Sequence, residues 1–184
     1  MLKRFAIVCA VVLALAVAAP AQLEWDRKKI PPLPNPAPVN ASRAAIETAI
    51  TELLEQNEIA VKSAGADERG TYVVVTEPVV FARGIVAKTQ LGHFADLSST
   101  GRSQFSRGRV VLRIQIEPST LTSSLVSVAS TFEGFRADVN EWTNYPSRGL
   151  LEDKFLKLLV SRLTGQAFGD VEADDRLLEA AAAS

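Results

Sequence analysis

The chain has 184 residues, 47% of them hydrophobic, with 20 basic and 21 acidic side chains and a formal net charge of −1. That balance excludes a global electrostatic pull toward nucleic acid or an anionic membrane. One histidine and one cysteine leave little for a zinc centre, a His-based triad or a disulfide framework.

Met1 to Arg4 is a short basic head, and Phe5 to Ala19 follows without a charge. Ala19-Pro20-Ala21 ends the run as a small-x-small cleavage site, so residues 1–21 read as a secretory signal peptide and the product as periplasmic or secreted. The run is shorter than the roughly 20 apolar residues of a spanning helix. No transmembrane segment is therefore expected after signal removal. A lipid anchor would need a cysteine after a small residue at the end of the run, whereas Cys9 lies inside it and follows Val8. Cleavage after Ala21 would leave a thiol-free chain, and loss of Lys3 and Arg4 would leave the acids in excess by three. The bare signal and missing thiols suit a bacterial periplasm.

Gln22 to Lys29 is polar apart from Leu23 and Trp25, and Ile30 to Val39 holds five prolines. Proline fixes φ and removes a donor, so residues 22–39 are expected to be an extended linker or strap outside any sheet interior. A recognition motif for a partner is the other reading. Asn40-Ala41-Ser42 is formally a glycosylation triplet, read here as helix-start residues. Ile46, Ile50, Leu53 and Leu54 then form one apolar stripe, which predicts an amphipathic helix ending near Asn57.

Ile59 to Val61 is a short strand candidate, followed by turn-rich residues 65–70. Thr71 to Thr76 reads as a strand that Pro78 stops, and Val79 to Lys88 as another, with Gly84 as a bulge. Residues 97–108 are polar and basic and predict a loop. From Arg109 to Glu117, Val110, Leu112, Ile114 and Ile116 face one way and Arg113, Gln115 and Glu117 the other. Leu125 to Phe132 alternates likewise, with Val126, Val128 and Phe132 against Ser127 and Thr131. Residues 142–149 predict a loop. Leu151, Phe155, Leu158, Leu159 and Leu163 predict a second amphipathic helix, with Glu152 and Asp153 in its first turn and Gly165 at its end. The tail, 166–184, is expected to be frayed or a short helix.

These elements predict a single α+β domain over residues 40–165. It would be a two-layer sandwich, with an antiparallel sheet of about four strands and two amphipathic helices on one face.

Catalytic chemistry is not evident. His93 reads as a loop histidine, and the nearby Ser98, Ser99 and Ser103 are neighbours only in sequence. Glu152-Asp153 reads as helix-start charge, and Asp67-Glu68 and Asp174-Asp175 as solvated loop and tail charge. No phosphate loop, metal set or cofactor motif stands out. One charge pattern does: between Val79 and Ile116, Arg83, Lys88, Arg102, Arg107, Arg109 and Arg113 face a single acid, Asp96. This segment reads either as a solvated edge and loop or as a patch for an anionic lipid, a glycan or an acidic protein surface. The candidate interaction surface is Trp25, Arg102, Phe105, Arg107, Arg109, Trp142 and Tyr145.

The strand pair RVVLRIQIEP and LVSVASTFEGF, the Trp-bearing loop, Ser147 to Glu152 and the helix LLEDKFLKLLVSRL together resemble BamC-type helix-grip modules of outer-membrane assembly lipoproteins. The likeness covers residues 40–165 in element order and 105–163 in residue character, and the chain lacks the family's lipidation cysteine. It implies a non-enzymatic accessory that binds an envelope protein partner, without nucleic acid. A small-molecule or lipid carrier with a helix-grip cleft is the alternative, and a hydrolase with a long-range site the third.

Overall fold

Alternation of apolar and polar residues over two long segments sets the middle of the sheet. The computed structural model describes residues 31–100, 104–169, 171 and 176–178. Its elements in order are β1 (Ala37–Val39), α1 (Arg43–Gln56), β2 (Val61–Ala66), β3 (Tyr72–Thr76), β4 (Val79–Arg83), α2 (Ala87–Phe94), β5 (Arg107–Pro118), β6 (Ser124–Arg136), β7 (Glu141–Tyr145) and α3 (Leu150–Thr164). Among the described residues the protein is α+β, with an open, antiparallel seven-stranded sheet and three α-helices. The signal segment, Trp25, Arg102 and Asp174-Asp175 lie outside the described residues.

β5 and β6 form a long hairpin in register from Arg107 opposite Phe135 to Pro118 opposite Ser124. Each flank of that hairpin carries two short strands end to end. On β5 these are β3, extended outward by β2, and then β4. On β6 they are β1 and β7. Side chains fill the breaks between them, because a buried backbone group left without a partner is costly. The Leu112 N–H, opposite the break after β3, donates to Thr76 Oγ1 at 3.0 Å. On β6, Asn35 bonds both backbone groups of Val128, and the Ser130 N–H donates to Glu152 Oε1 at 3.1 Å.

The alternation sends Val110, Leu112, Ile114, Ile116, Val126, Val128 and Phe132 to one buried face. The apolar stripes of α1, α2 and α3 cover that face with Ile46, Ile50, Leu53, Leu91, Leu151, Phe155 and Leu159. Phe81, Phe94 and Phe132 meet there with ring centroids 5.6–6.0 Å apart. Ser42 caps α1, and Gly165, at φ 71°, ends α3 in the left-handed conformation that suits glycine.

The structure corrects the coarser expectation of about four strands and two helices. Residues 142–149 are not one loop, because Glu141–Tyr145 pairs with Phe132–Arg136 as β7. The strand predicted over Val79 to Lys88 stops at Arg83, and the chain turns into α2, whose short sequence carries only Ala87, Leu91 and Phe94 as its buried side. His93 is in the last turn of that helix, not in a loop. The irregularity in β4 falls between Val80 and Ala82 rather than at Gly84. The proline strap contributes β1, which pairs only with the outer edge of β6, as proline requires. In the tail, Leu177 is buried, and its N–H donates to Asn57 Oδ1 at 2.8 Å.

Candidate functional site

No described helix lies on the second face of the sheet, and that face gathers the arginines. Arg83, Arg107, Phe135 and Trp142 are successive cross-strand neighbours on β4, β5, β6 and β7. Arg109, Glu133 and Asn144 form the next row. The Arg107 guanidinium sits 4.2 Å from the Phe135 ring centroid and 5.5 Å from that of Trp142, and Arg109 sits 4.0 Å from Trp142. Phe135 and Trp142 pack with centroids 5.2 Å apart. Stacking fixes the guanidinium planes and leaves the N–H edge of Arg107 available, which suits carboxylates and other planar anions. Arg109 is also ion-paired with Glu133. Arg83, Arg107 and Arg113 have no carboxylate partner among the described residues.

Of the candidate residues read from the sequence, the fold therefore brings together Arg107, Arg109 and Trp142. Phe105 and Tyr145 are corrected to the interior: they are 4% and 7% exposed and pack edge to face, 5.5 Å apart, beneath the sheet. The parity of the pleat explains the difference. Tyr145 lies opposite Phe132 and shares its inward direction, whereas Trp142 lies opposite Phe135 and points out. Phe135 and Glu133 are missing from the sequence reading because the alternation is followed only as far as Phe132. The same alternation, carried on from Thr131, would have placed both on the open face.

The β6–β7 turn borders this face. Asp138 accepts from Arg136 Nη2 at 2.7 Å. That hydrogen bond holds the Asp138 carboxyl below its ordinary value and raises the Arg136 guanidinium. Asp96, near the end of α2, is also held low, chiefly by the Ser98 N–H that donates to it at 2.9 Å.

A second feature is a cleft of about 620 Å³ between the strap and the start of α3, lined in part by Leu33, Arg148, Leu150 and Leu156. Its carboxylates are structural ties. Glu152 Oε1 accepts from the Ser130 N–H and Oε2 from Ser147 Oγ at 2.9 Å. Asp153 accepts from the Leu33 N–H at 2.7 Å and pairs with Lys157 at 2.8 Å. Glu152 and Asp153 thus act on β6 and on the strap, beyond the helix-start role read from the sequence. Asp67 likewise closes the β2–β3 turn by accepting from the Arg69 and Thr71 N–H groups.

Among the described residues, no three His, Cys, Asp or Glu side chains are grouped to hold a metal ion. No described helix is long and apolar enough to cross a membrane. Compared with protein-family models, curated proteins and solved structures, the chain finds no match.

Proposed function

We propose that the protein is an exported periplasmic interaction module, without catalysis of its own, that holds an envelope protein partner on the helix-free face of its sheet. The observation that carries this reading is the pair Arg107 and Arg109 stacked on Phe135 and Trp142. Arginine and tryptophan dominate binding hot spots, and a guanidinium already ordered by a ring loses less freedom when it meets a carboxylate. The N-terminal sequence supports export, and the BamC-type resemblance supports an accessory role in outer-membrane assembly.

The test places a photo-crosslinking residue at Thr131 or Asn144, which are exposed on that face, and at Thr122, which is exposed in the β5–β6 turn. A specific envelope protein should crosslink from the first two positions and not from the third. Arg107→Glu with Trp142→Ala should abolish that crosslink. Equal labelling from all three positions would sink the proposal.

The cleft beside the strap favours a second reading, a small-molecule carrier, because its volume lies within the usual range of ligand pockets. Native mass spectrometry of protein from its own host distinguishes the two. A stoichiometric lipid or metabolite supports the carrier, and an empty chain removes it.

A further inference from the structure

We infer that the end of the sheet formed by the β4–α2 and β6–β7 turns is a contact site for an anionic lipid bilayer. The site borders the protein-binding face and shares Arg107 with it, but it is argued from apolar residues at the rim that the first reading does not use. Ile85 is 99% exposed, and its neighbour Val86 and the turn residue Val139 are about half exposed. All three sit at one end of the sheet, since Arg83 ends β4, Arg136 ends β6 and Glu141 begins β7. β4 and β7 are three strand spacings apart there, roughly 14 Å. Single exposed aliphatic residues are ordinary on a protein surface, but three at one rim call for a cause.

The local backbone projects them. Gly84 has φ +69°, a conformation that favours glycine, and its N–H donates to Ser106 O at 2.9 Å. That bond ties the turn to the sheet while Ile85 stands clear of it. On the other side, the Arg136–Asp138 pair braces the turn that carries Val139. A nearly fully exposed side chain is convex and offers a protein partner no pocket, but it fits the soft boundary between headgroups and acyl chains.

The charge beside these tips selects the lipid. Arg83 and Arg107 stand directly opposite each other on β4 and β5, an arrangement that like charges make unfavourable. Neither has a carboxylate partner among the described residues. Phosphate groups at a bilayer surface would relieve that repulsion while Ile85, Val86 and Val139 leave water. Weak insertion and weak attraction add in this mode, so both should be needed.

The test uses residues 22–184, which retain every described element, in co-sedimentation with two sets of vesicles. One set is an equal mixture of phosphatidylethanolamine and phosphatidylglycerol, and the other is phosphatidylcholine alone. Binding is expected to the first set, several-fold weaker binding to the second, and loss in high salt. Ile85→Asp should lower binding about tenfold, the factor expected when one aliphatic side chain no longer leaves water. Arg83→Glu should lower it severalfold. Leu121→Asp, in the 95%-exposed position of the β5–β6 turn at the opposite end, should change nothing. Circular dichroism on each variant confirms the fold. No binding to the anionic vesicles, equal binding to both sets, or equal loss from Ile85→Asp and Leu121→Asp would each overturn the inference. The vesicles contain no protein, so this outcome is separate from the crosslinking result.

Discussion

The side-chain amide of Asn35 pairs with the backbone of Val128 as a strand would. Its Nδ2 donates to Val128 O at 2.6 Å, and its Oδ1 accepts from Val128 N at 3.0 Å. The amide fills the gap that β1 and β7 leave on the edge of β6. Asn35→Ala should therefore strand two backbone groups of a buried residue and cost about 1–3 kcal/mol, read by urea denaturation. Asn35→Asp should not rescue it, because a carboxylate cannot donate to Val128 O. Faster hydrogen exchange at the Val128 amide should accompany the loss. An unchanged unfolding midpoint in Asn35→Ala would show that the pairing carries no net stability.

Gly134 lies under the ring of Phe105. A Cβ there would lie 2.7 Å from Phe105 Cδ1 and 2.9 Å from Leu91 Cδ2, inside the contact limit for carbon. Phe105 and Leu91 are both buried, so neither has free space to move into. Gly134→Ala should destabilise by about 1–3 kcal/mol through overpacking. Combined with Phe105→Leu, the alanine should cost less than it does alone, and a double-mutant cycle measures that coupling. Strict additivity would place the strain elsewhere.

Asp138 gives a pH dependence whose sign is fixed. Its folded carboxyl titrates below its ordinary 3.8, chiefly through the hydrogen bond from Arg136. The unfolded chain therefore takes up this proton at higher pH than the folded one. The stabilisation is fully present above about 3.8 and is lost as pH falls through the folded value. Solvent exposure keeps the effect small. Carboxyl titration by NMR should show the depressed Asp138 value returning to normal in Arg136→Gln. An Asp138 value at or above 3.8 with Arg136 intact would contradict the pairing.

The two long strands were legible because one buried face imposes a period of two on Val110 to Ile116 and on Val126 to Phe132. The helices α1 and α3 were legible from their apolar stripes. β7 was not, because Glu141 to Tyr145 has a partner on one side only and shows no hydrophobic run. α2 was hidden because eight residues give too few turns for a stripe to declare itself. The site followed the same logic. Arg107 and Arg109 stood out as charge, but whether an aromatic faced them or the core depended on register. Trp142 and Tyr145 differ by three positions, and the pleat sends them to opposite faces. No local pattern tells that Asn35 would replace a strand, since its partner lies 93 residues away.

Asp153 ties the strap to α3, and Lys157 makes that tie electrostatic. The Asp153 carboxylate accepts from the Leu33 N–H with one oxygen and pairs with Lys157 through the other. Lys157 is only 1% exposed, so its ammonium depends on protein groups rather than water. Removing Asp153 takes away one of the groups that compensate this buried ammonium, whereas removing the cation leaves a carboxylate still partly solvated and near a helix N-terminus. Asp153→Ala, which also removes the acceptor of the Leu33 N–H, should therefore be the most damaging change, at about 1–3 kcal/mol. Asp153→Asn, which keeps an acceptor for Leu33, should fall between, and Lys157→Met should be mildest. Limited proteolysis should find new cleavage near Leu33 in Asp153→Ala and not in Lys157→Met, because only the first frees the Leu33 end of the strap. Equal damage from Asp153→Ala and Lys157→Met would mean that the carboxylate gains as much from the lysine as the lysine gains from it.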